Sequence, residues 1–485
     1  MKNILFTFLV SFLSIGIGTA QDDVTKLIGA MLSDTPIEED LQELCDVIGG
    51  RVTGSKANEQ AVDWALAKFK EAGVKAWKDE FEMPVLWLPN STSIMVTGDS
   101  NFKPSAVAKY QSPPGNYSGK LIFAGKGTAE EIDKLSASIT GNFVLVETDL
   151  CLDIGGLFAE YTAGAATEVA ARKAGAKGIV FMASRPKGLL YRFITSKATD
   201  EDLPHLVMSR EDAKRCIRLL NDGKNLNLNL DIKATTGGAF KSHNVIGEIT
   251  GSEKPDEVIV LGAHIDSWAL GTGANDNGCN VNMMIDVARQ MQKLGIKPKR
   301  TIRFALWNGE EQGYFGSWDY TKEHVEEMSK HIMALSVDIG SGPINGFFTN
   351  GRAELIPAVE KVLQPVAALG DFPAINVPIV GTDNFDFMLQ GVGNLVANHR
   401  STNYGLNYHA SSDTYEKVDL KSLKVNSAII AALALGFANL DESDITWEQQ
   451  TRPEIQKLFD DNKLEFTMRM FNVWESWING TRGRN

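Results

Sequence analysis

The sequence has little of the residues that mark the most easily recognised sites. Of its 485 residues only seven are histidines and four are cysteines. The cysteines form no Cys-x-x-Cys pair, which excludes the usual cysteine-based zinc site. They are few for a secreted chain, and the sequence leaves open whether they pair as disulfides or stay buried as thiols. They are Cys45, Cys151, Cys216 and Cys279.

Two common hydrolase signatures are missing as well. No Gly-x-Ser-x-Gly segment occurs, which disfavours a serine hydrolase with a nucleophile elbow. No His-Glu-x-x-His segment occurs, which disfavours a zincin metalloprotease. The chain has no run rich in lysine and arginine, and its formal net charge is −13, so we expect no nucleic-acid-binding surface.

Long apolar runs are confined to the N-terminus. Lys2 is followed by a mostly apolar stretch over Ile4–Ile17, and three small residues precede Gln21. This order is typical of a cleaved secretory signal peptide over residues 1–20. A membrane anchor is the alternative, but the run is short for a span, and no later segment looks long and apolar enough to cross a bilayer. We therefore expect a secreted or periplasmic protein with no membrane span in its mature chain.

The rest of the chain predicts an α/β fold in more than one unit. Its length favours two or three domains, and 43% hydrophobic with 22% charged residues suits a protein with a sizeable core. Strand-like and helical segments alternate over residues 239–440, which predicts a central mixed, largely parallel sheet flanked by helices. Residues 97–238 hold short β-rich runs and one helix, near Ala165–Ala174, and are interpreted as an inserted, smaller α/β domain. The predicted units are residues 1–20 (signal), 21–96 (first part of the main domain), 97–238 (inserted domain), 239–440 (main, metal-binding part) and 441–485 (C-terminal tail).

Several local patterns give sharper expectations. Ser55 is placed to cap the helix that follows it. Residues 74–83 alternate as a strand does, and Pro84 and Pro89 are expected to break that pattern. The methionine-rich face of the helix over Asn280–Leu294 is interpreted as plain core. The aromatic residues of the tail predict that it docks on the body or on a partner subunit.

Histidines and carboxylates follow the ends of predicted strands. Because the carboxyl ends of parallel strands meet at one edge of a sheet, we expect these side chains to lie close together. Imidazoles and carboxylates in one site suit a hard or borderline divalent metal, zinc above all. The candidate residues are His264, Asp266, Asp276, Glu310, Glu311, Asp338 and His409.

Taken singly, each candidate has an ordinary structural explanation. A His-x-Asp pair is more often a hydrogen-bonded structural pair than a pair of ligands, and a Glu-Glu pair is often a solvated turn. A carboxylate after a strand often caps a helix. The combined order of His-x-Asp, Asp, Glu-Glu, Asp and His is far less easily produced by chance. The remaining histidines form no such set; they are His205, His243, His324, His331 and His399.

This order resembles that of the co-catalytic dizinc exopeptidases of family M28. The amino-acid sequences of residues 264–268, 307–313 and 51–55 are most similar to those of the plasma glutamate carboxypeptidase (carboxypeptidase Q) branch of that family. Residues 165–182 with Leu203-Pro204 resemble the protease-associated domain often inserted in such enzymes. The resemblance covers nearly the whole mature chain up to about Leu440 and implies the zinc exopeptidase fold.

The resemblance implies two zinc ions per chain and a role for each metal ligand. Asp276 would bridge the two metals. His264 and Asp338 would complete the first metal, and Glu311 and His409 the second. A carboxylate suits the bridging role because its two oxygens can face different metals.

The resemblance also implies two catalytic residues that are not ligands. Glu310 would be the general base and acid beside a metal-bound hydroxide, and Asp266 would orient His264. Asp383 lies in a segment that resembles a substrate-facing loop of the family, and Tyr404 or Tyr408 could donate a hydrogen bond to the oxyanion. Simple packing explains each of them at least as well, and they are not assigned catalytic roles.

The implied activity is that of a secreted dizinc exopeptidase acting on short peptides or dipeptides. The branch favours the carboxypeptidase or dipeptidase type, and an aminopeptidase of the same family is the alternative. A free carboxylate needs a cation or a backbone nest, for which Arg352 and Arg400 are candidates, whereas a free amine needs a carboxylate. A catalytically inactive binding protein on the same fold is disfavoured, since every ligand position and Glu310 are present. A homodimer is also implied.

Overall fold

The computed structural model describes residues 16–151, 153–192 and 203–484. Those residues form strands in two sheets, with helices packed around them. In chain order the strands are β1 (Lys75–Met83), β2 (Leu86–Gly98), β3 (Ala106–Ala108), β4 (Gly115–Phe123), β5 (Phe143–Val146), β6 (Gly178–Met182), β7 (His205–Met208), β8 (Leu226–Gly237), β9 (Phe240–Ile249), β10 (Lys254–His264), β11 (Arg300–Trp307), β12 (His331–Ser336), β13 (Ile344–Phe348), β14 (Ala374–Ile375) and β15 (Asn394–His399).

The helices of the described chain range from one turn to five. They are α1 (Gly16–Met31), α2 (Ile37–Gln42), α3 (Lys56–Glu71), α4 (Ala129–Lys134), α5 (Ser136–Ile139), α6 (Ile154–Lys173), α7 (Arg210–Asn221), α8 (Cys279–Lys293), α9 (Phe315–Glu323), α10 (Ile356–Leu363), α11 (Asn384–Leu389), α12 (Tyr404–Asn407), α13 (Leu420–Ala438), α14 (Arg452–Asn462), α15 (Glu465–Met470) and α16 (Trp474–Ile478). Tighter or wider helical turns lie at Glu43–Ile48, Ala274–Gly278, Glu310–Gln312, Val325–Lys330, Ala353–Leu355, Gln364–Leu369, Tyr415–Lys417 and Glu442–Asp444.

The larger sheet has eight strands in the order β1-β9-β11-β10-β12-β15-β13-β14. Its centre, from β11 through β10 and β12 to β15, is parallel. The pairs β1–β9, β9–β11 and β15–β13 are antiparallel. The prediction of a mixed, largely parallel sheet is therefore confirmed.

Alternate residues of the central strands face two separate apolar clusters. On β10, Ile259 and Leu261 join the cluster that contains α8 and α13, whereas Val258 and Val260 join the one that contains Trp307. A strand that is buried on both faces has apolar residues at consecutive positions. This is why apolar and polar residues do not alternate in this segment. The methionine-rich face of α8 lies in the first cluster and is plain core, as predicted.

The second sheet has seven strands in the order β2-β8-β4-β5-β6-β7-β3. Its edge strand β2 pairs with β8 along its whole length, from Leu86 opposite Gly237 to Gly98 opposite Leu226. Residues before position 97 thus fold with the segment interpreted as an insertion. The division into domains remains a proposal, and this pairing places its first boundary just before Leu86.

The helices of this segment are more numerous than predicted. The predicted helix near Ala165–Ala174 is the C-terminal half of α6, and the described residues also contain α4, α5 and α7. Of these, α4 and α5 are only six and four residues long. The first is fixed by a capping box between Thr128 and Glu131, and α7 buries only a narrow face of Ala213, Cys216 and Ile217.

Pro89 does not break its strand, contrary to the prediction. It lies inside β2, and the register of the pairing with β8 shifts between Pro89 and Ser91. Because β2 is an edge strand, the missing N–H of proline costs no hydrogen bond to a second neighbour.

The predicted helix cap at Ser55 does form, since the Ser55 hydroxyl accepts a hydrogen bond from the Asn58 N–H at 3.1 Å.

Within the described residues, α13 is the one helix long and apolar enough to cross a membrane. The expectation that no later segment has this length and composition does not hold for it. However, 67% of its apolar window is buried inside the protein, where it packs against α1, α8, α10 and the central strands. It is a core element of the fold.

The structure describes all four cysteines but not most of the predicted signal peptide. Residues 1–15 of the predicted signal peptide lie outside the described residues, and α1 begins at Gly16, so that prediction stays a prediction. All four cysteines are free thiols and buried. Burial raises the pKa of Cys45 and of Cys216 to about 12.

The C-terminal tail docks on the body of its own chain. Trp474 and Trp477 share an apolar cluster with Tyr314 and Phe385. The Arg482 guanidinium donates two hydrogen bonds, each of 2.7 Å, to the two carboxylate oxygens of Asp386 on α11. Both side chains are buried, so this ion pair fixes the end of the chain to the main domain.

Breaking this ion pair is expected to destabilise the fold. In Arg482→Met the Asp386 carboxylate stays buried without its cation, and the free energy of unfolding should fall by about 3–5 kcal/mol. Urea denaturation measures the change. The control is Lys457→Met, which removes an exposed pair with Asp461 and should cost less than about 1 kcal/mol. Equal losses in the two variants would contradict the assignment.

Candidate metal centre

Parallel strand ends bring the first candidates together. His264 is the last residue of β10 and lies opposite Trp307, the last residue of β11. The chain then turns through Gly309, whose φ of 76° is left-handed, into Glu310 and Glu311. A β carbon on Gly309 would lie 2.8 Å from the Met83 sulfur, so the turn requires glycine.

Two loops and a third strand end supply the remaining candidates. Asp276 lies in the turn Ala274–Gly278 that leads into α8, and its peptide bond to Asn277 is cis. His409 follows α12 and has a φ of 55°. Asp338 comes just after β12, the neighbour of β10. All five predicted metal ligands therefore meet at one edge of the larger sheet.

The first ligand group contains His264, Asp276 and Asp338. The Nε2 atom of His264 is 3.2 Å from Asp276 Oδ1 and 2.9 Å from Asp338 Oδ1. One ligand atom from each residue lies within 4.8 Å of the others, and all three residues are buried.

The second ligand group contains Asp276, Glu311 and His409. The Nε2 atom of His409 is 3.2 Å from Asp276 Oδ2 and 2.8 Å from Glu311 Oε2. Asp276 is thus shared, with one oxygen facing each histidine. These are the two groups that the family resemblance assigns.

The chemistry of the donor set fits metal ions. Glu311 Oε1 is buried and accepts no hydrogen bond in the described structure. A buried carboxylate oxygen without a donor is costly unless a cation satisfies it. Imidazole nitrogens and carboxylate oxygens in this proportion suit zinc.

The electrostatics of the cluster point the same way. Burial raises the pKa of Glu311 to about 7, and it also raises the pKa of Asp338. Burial alone would lower the pKa of His409, but the Glu311 and Asp276 carboxylates raise it to about 9. Likewise burial alone would lower the pKa of His264, and the carboxylates of Asp338 and Glu310 raise it well above its usual range. The site therefore attracts positive charge strongly.

Asp266 is placed differently from its predicted role. The ring Nδ1 of His264 lies 3.1 Å from the Asp266 backbone carbonyl and 3.6 Å from its carboxylate. The carboxylate instead accepts the backbone N–H groups of Glu310 and Glu311, each at 3.3 Å. It also accepts the Thr53 hydroxyl at 2.9 Å. Asp266 thus holds the Glu310-Glu311 turn with its side chain and His264 with its backbone.

Residues 51–58 position the site from outside the sheet, which the sequence did not reveal. The buried Arg51 guanidinium donates to the carbonyls of Ile265, Thr272 and Gly273 at 2.7, 2.7 and 3.0 Å. It thereby joins the loop after β10 to the turn before Asp276. The similarity of this segment to a family motif was the only signal for it.

Asp413 is a second positioning residue that the sequence did not reveal. Its carboxylate accepts the N–H groups of Asn275 and Asp276 at 2.8 and 3.2 Å. It therefore ties the bridging carboxylate to the loop that carries His409. Burial raises the pKa of Asp413 to about 7. Its place in the same loop as His409 was the available signal.

The ligand cluster forms the floor of an open pocket of about 1070 Å³, a volume that includes its mouth. Glu310 also lies on this floor and belongs to neither ligand group. The walls are mainly apolar and come from distant parts of the chain: Leu157, Phe158 and Tyr161 of α6, then Tyr314, Phe348, Ile379, Val380, Tyr404, Tyr408 and Phe471.

The remaining sequence candidates lie as follows. Arg352 is buried and donates to the Gly391 and Glu448 carbonyls, and Arg400 is exposed; neither lines the pocket among the described residues. Tyr404 and Tyr408 do line it. The Tyr404 hydroxyl donates to the Asp338 carbonyl at 3.1 Å. Asp383 is buried behind the pocket, and burial raises its pKa well above the usual range.

Comparison with known proteins gives consistent matches. Residues 244–434 match the model of peptidase family M28. The chain is 25% identical to carboxypeptidase Q of Mus musculus over 91% of this chain and 99% of that protein. It is similar to the structure of a peptidase M28 precursor from Shewanella amazonensis SB2B, with a TM-score of 0.79, 26% identity, and coverage of 90% and 99%. BSAP, a zinc aminopeptidase from Bacillus subtilis, shares the fold at a TM-score of 0.64, 18% identity, and coverage of 82% and 93%.

Removing one ligand should empty part of the site. In His409→Ala the second group keeps only carboxylates, and the metal content should fall from two ions per chain to about one, since second-group affinity depends on its imidazole. Elemental analysis of the purified protein measures this. The matched control is His243→Ala, which removes a partly exposed histidine paired with Glu80. Full metal content in His409→Ala would contradict the ligand assignment.

Proposed function

From the membership of residues 244–434 in peptidase family M28, we propose that this protein is a co-catalytic dizinc exopeptidase that hydrolyses short peptides or dipeptides. A peptidase, and hence a hydrolase, follows from the family itself. The number and identity of the metals, the exopeptidase type and the secretion of the protein are the proposal.

One observation carries it: a single buried carboxylate is shared by two ligand groups. Asp276 presents Oδ1 to His264 and Oδ2 to His409, each at 3.2 Å. A bridging carboxylate is the arrangement by which two metals are held close enough to act on one substrate bond. The similarity of the fold to a zinc aminopeptidase supports zinc as the metal.

When bound, two such ions lower the pKa of water and polarise a carbonyl. Glu310 is the base that this chemistry needs, since it lies on the pocket floor and belongs to neither ligand group. Its carboxylate accepts a proton from the water that attacks the scissile carbonyl. The same proton then passes from the Glu310 carboxyl to the nitrogen of the departing amine as the C–N bond breaks.

The environment of Glu310 suits a group that must hold and release a proton. Burial raises its pKa well above the usual range, and the carboxylates of Asp338 and Asp383 add to this. Cations in the ligand groups would lower the pKa of Glu310. The Glu310 backbone is held by its N–H bond to Asp266, so the carboxylate is aimed by the turn that also carries Glu311.

The proposed type is a carboxypeptidase or dipeptidase, supported by the similarity to carboxypeptidase Q over nearly the whole chain. One observation favours the alternative of an aminopeptidase. Among the described residues no lysine or arginine lines the pocket to pair with a substrate carboxylate. An inactive binding protein is the third candidate, and the presence of Glu310 with both ligand groups argues against it. Secretion or periplasmic location, and a homodimer, stay part of the proposal.

Glu310→Gln tests the assigned base. The amide cannot accept the proton, so kcat should fall about 10²–10⁴-fold. The metal content should stay at the wild-type level, because Glu310 is not a ligand. Steady-state kinetics and elemental analysis measure the two quantities. Glu323→Gln, an exposed position on α9, is the control and should behave as wild type. Nearly unchanged kcat in Glu310→Gln would remove it as the base.

Two blocked dipeptides separate the types of exopeptidase. The zinc-loaded enzyme is expected to hydrolyse an N-acetyl dipeptide and to leave a dipeptide amide intact, as followed by chromatography. The reverse pattern would show an aminopeptidase. Absence of bound metal together with no cleavage of either would point to the binding protein.

A further inference from the structure

Three aromatic rings from distant parts of the chain form one wall of the pocket. Phe471 of the C-terminal tail lies with its ring centroid 6.0 Å from that of Tyr161 on α6 and 6.1 Å from that of Tyr314. All three residues line the pocket whose floor is the ligand cluster. We call these residues the aromatic wall.

The backbone of the tail holds Phe471 in place. Helix α15 ends at Met470, and Asn472 then takes a left-handed φ of 60°. The N–H groups of Asn472 and Val473 donate back to the carbonyls of Arg469 and Met468 at 3.0 and 2.9 Å. This is a Schellman motif, which fixes the direction of the residue at the helix end. The ring is therefore presented to the pocket by a defined turn.

The aromatic wall is joined to both sides of the ligand cluster. The hydroxyls of Tyr161 and Tyr408 lie 3.2 Å apart, and the Tyr408 ring stacks on His409 with centroids 3.6 Å apart. On the other side, Tyr314 donates its N–H to the Glu310 carbonyl at 3.0 Å. A substrate whose scissile bond lies over the ligand cluster would thus place a neighbouring side chain against the wall.

We propose that Phe471, with Tyr161 and Tyr314, is a specificity determinant that binds a large apolar side chain next to the scissile bond. This inference rests on the proposed peptidase function. The Phe471 ring is only partly buried, so it leaves apolar surface for a ligand to cover. Aromatic rings supply such surface with little loss of side-chain freedom. The substrate class is therefore short peptides with phenylalanine-like or leucine-like residues rather than alanine.

The test compares three unblocked dipeptides, Ala-Ala, Ala-Phe and Phe-Ala, on zinc-loaded enzymes. We expect the wild type to prefer at least one phenylalanine-containing dipeptide over Ala-Ala in kcat/KM. In Phe471→Ala that preference should fall about tenfold, with kcat/KM for Ala-Ala changed less than about twofold. Phe471→Leu keeps apolar surface and should retain most of the preference.

The matched control is Phe466→Ala, on helix α15, which ends directly before Phe471; Phe466 is 54% exposed and outside the pocket lining. It should keep the wild-type preference. An active Phe471→Ala with an unchanged preference would overturn the inference and leave the proposed function standing. If Phe471→Ala does not fold, Phe471→Tyr is compared with Phe471→Leu instead. The quantity compared is the ratio of kcat/KM for the preferred phenylalanine-containing dipeptide to kcat/KM for Ala-Ala. Only a role of Phe471 in binding changes this ratio while the metal content stays constant. A zinc-loaded wild type that hydrolyses none of the three would overturn both the function and the inference.

Discussion

The structure depends on a cluster of buried carboxyl groups at one edge of the larger sheet. Seven carboxyl groups are buried around the strand ends: Asp266, Asp276, Glu310, Glu311, Asp338, Asp383 and Asp413. Within the described part of the chain none of them forms an ion pair with lysine or arginine; the one buried guanidinium nearby, on Arg51, donates to backbone carbonyls. Two imidazoles do not balance this charge. Because uncompensated buried charge is expensive, a cluster of this kind is suited to binding cations from outside the chain.

The acids divide into those that face the pocket and those that hold the loops. Asp266 and Asp413 each accept two backbone N–H groups, and so they fix the Glu310-Glu311 turn and the Asp276 turn. The segment at residues 51–58 adds hydrogen bonds from the Arg51 guanidinium and the Thr53 hydroxyl to the same loops. This second layer fixes the turns and loops that carry the candidate ligands, which is what a metal site needs in order to keep its geometry.

The sequence predicted the site better than it predicted the surroundings. The order of histidines and carboxylates along the sequence predicted the five side chains that the fold brings together in two groups, partly because parallel strands end at one edge of the sheet. Their role as metal ligands stays a prediction. The roles of Arg51, Asp413 and Phe471 were not predictable in this way, since each acts on residues far away in sequence. Residue 97 was predicted as the start of the inserted domain, whereas the second sheet begins at Leu86. Pro89 was taken as a break, although an edge strand tolerates proline. Helix α13 was not recognised as one long apolar helix, although its burial explains its composition.

The central claim is that two metal ions share Asp276. A crystal structure of the zinc-loaded protein, with anomalous diffraction collected at the zinc edge, tests it most directly. The account predicts two anomalous peaks about 3.5–4 Å apart, one beside His264 and Asp338 and the other beside Glu311 and His409, with Asp276 between them. A single peak, or zinc bound away from Asp276, would contradict it.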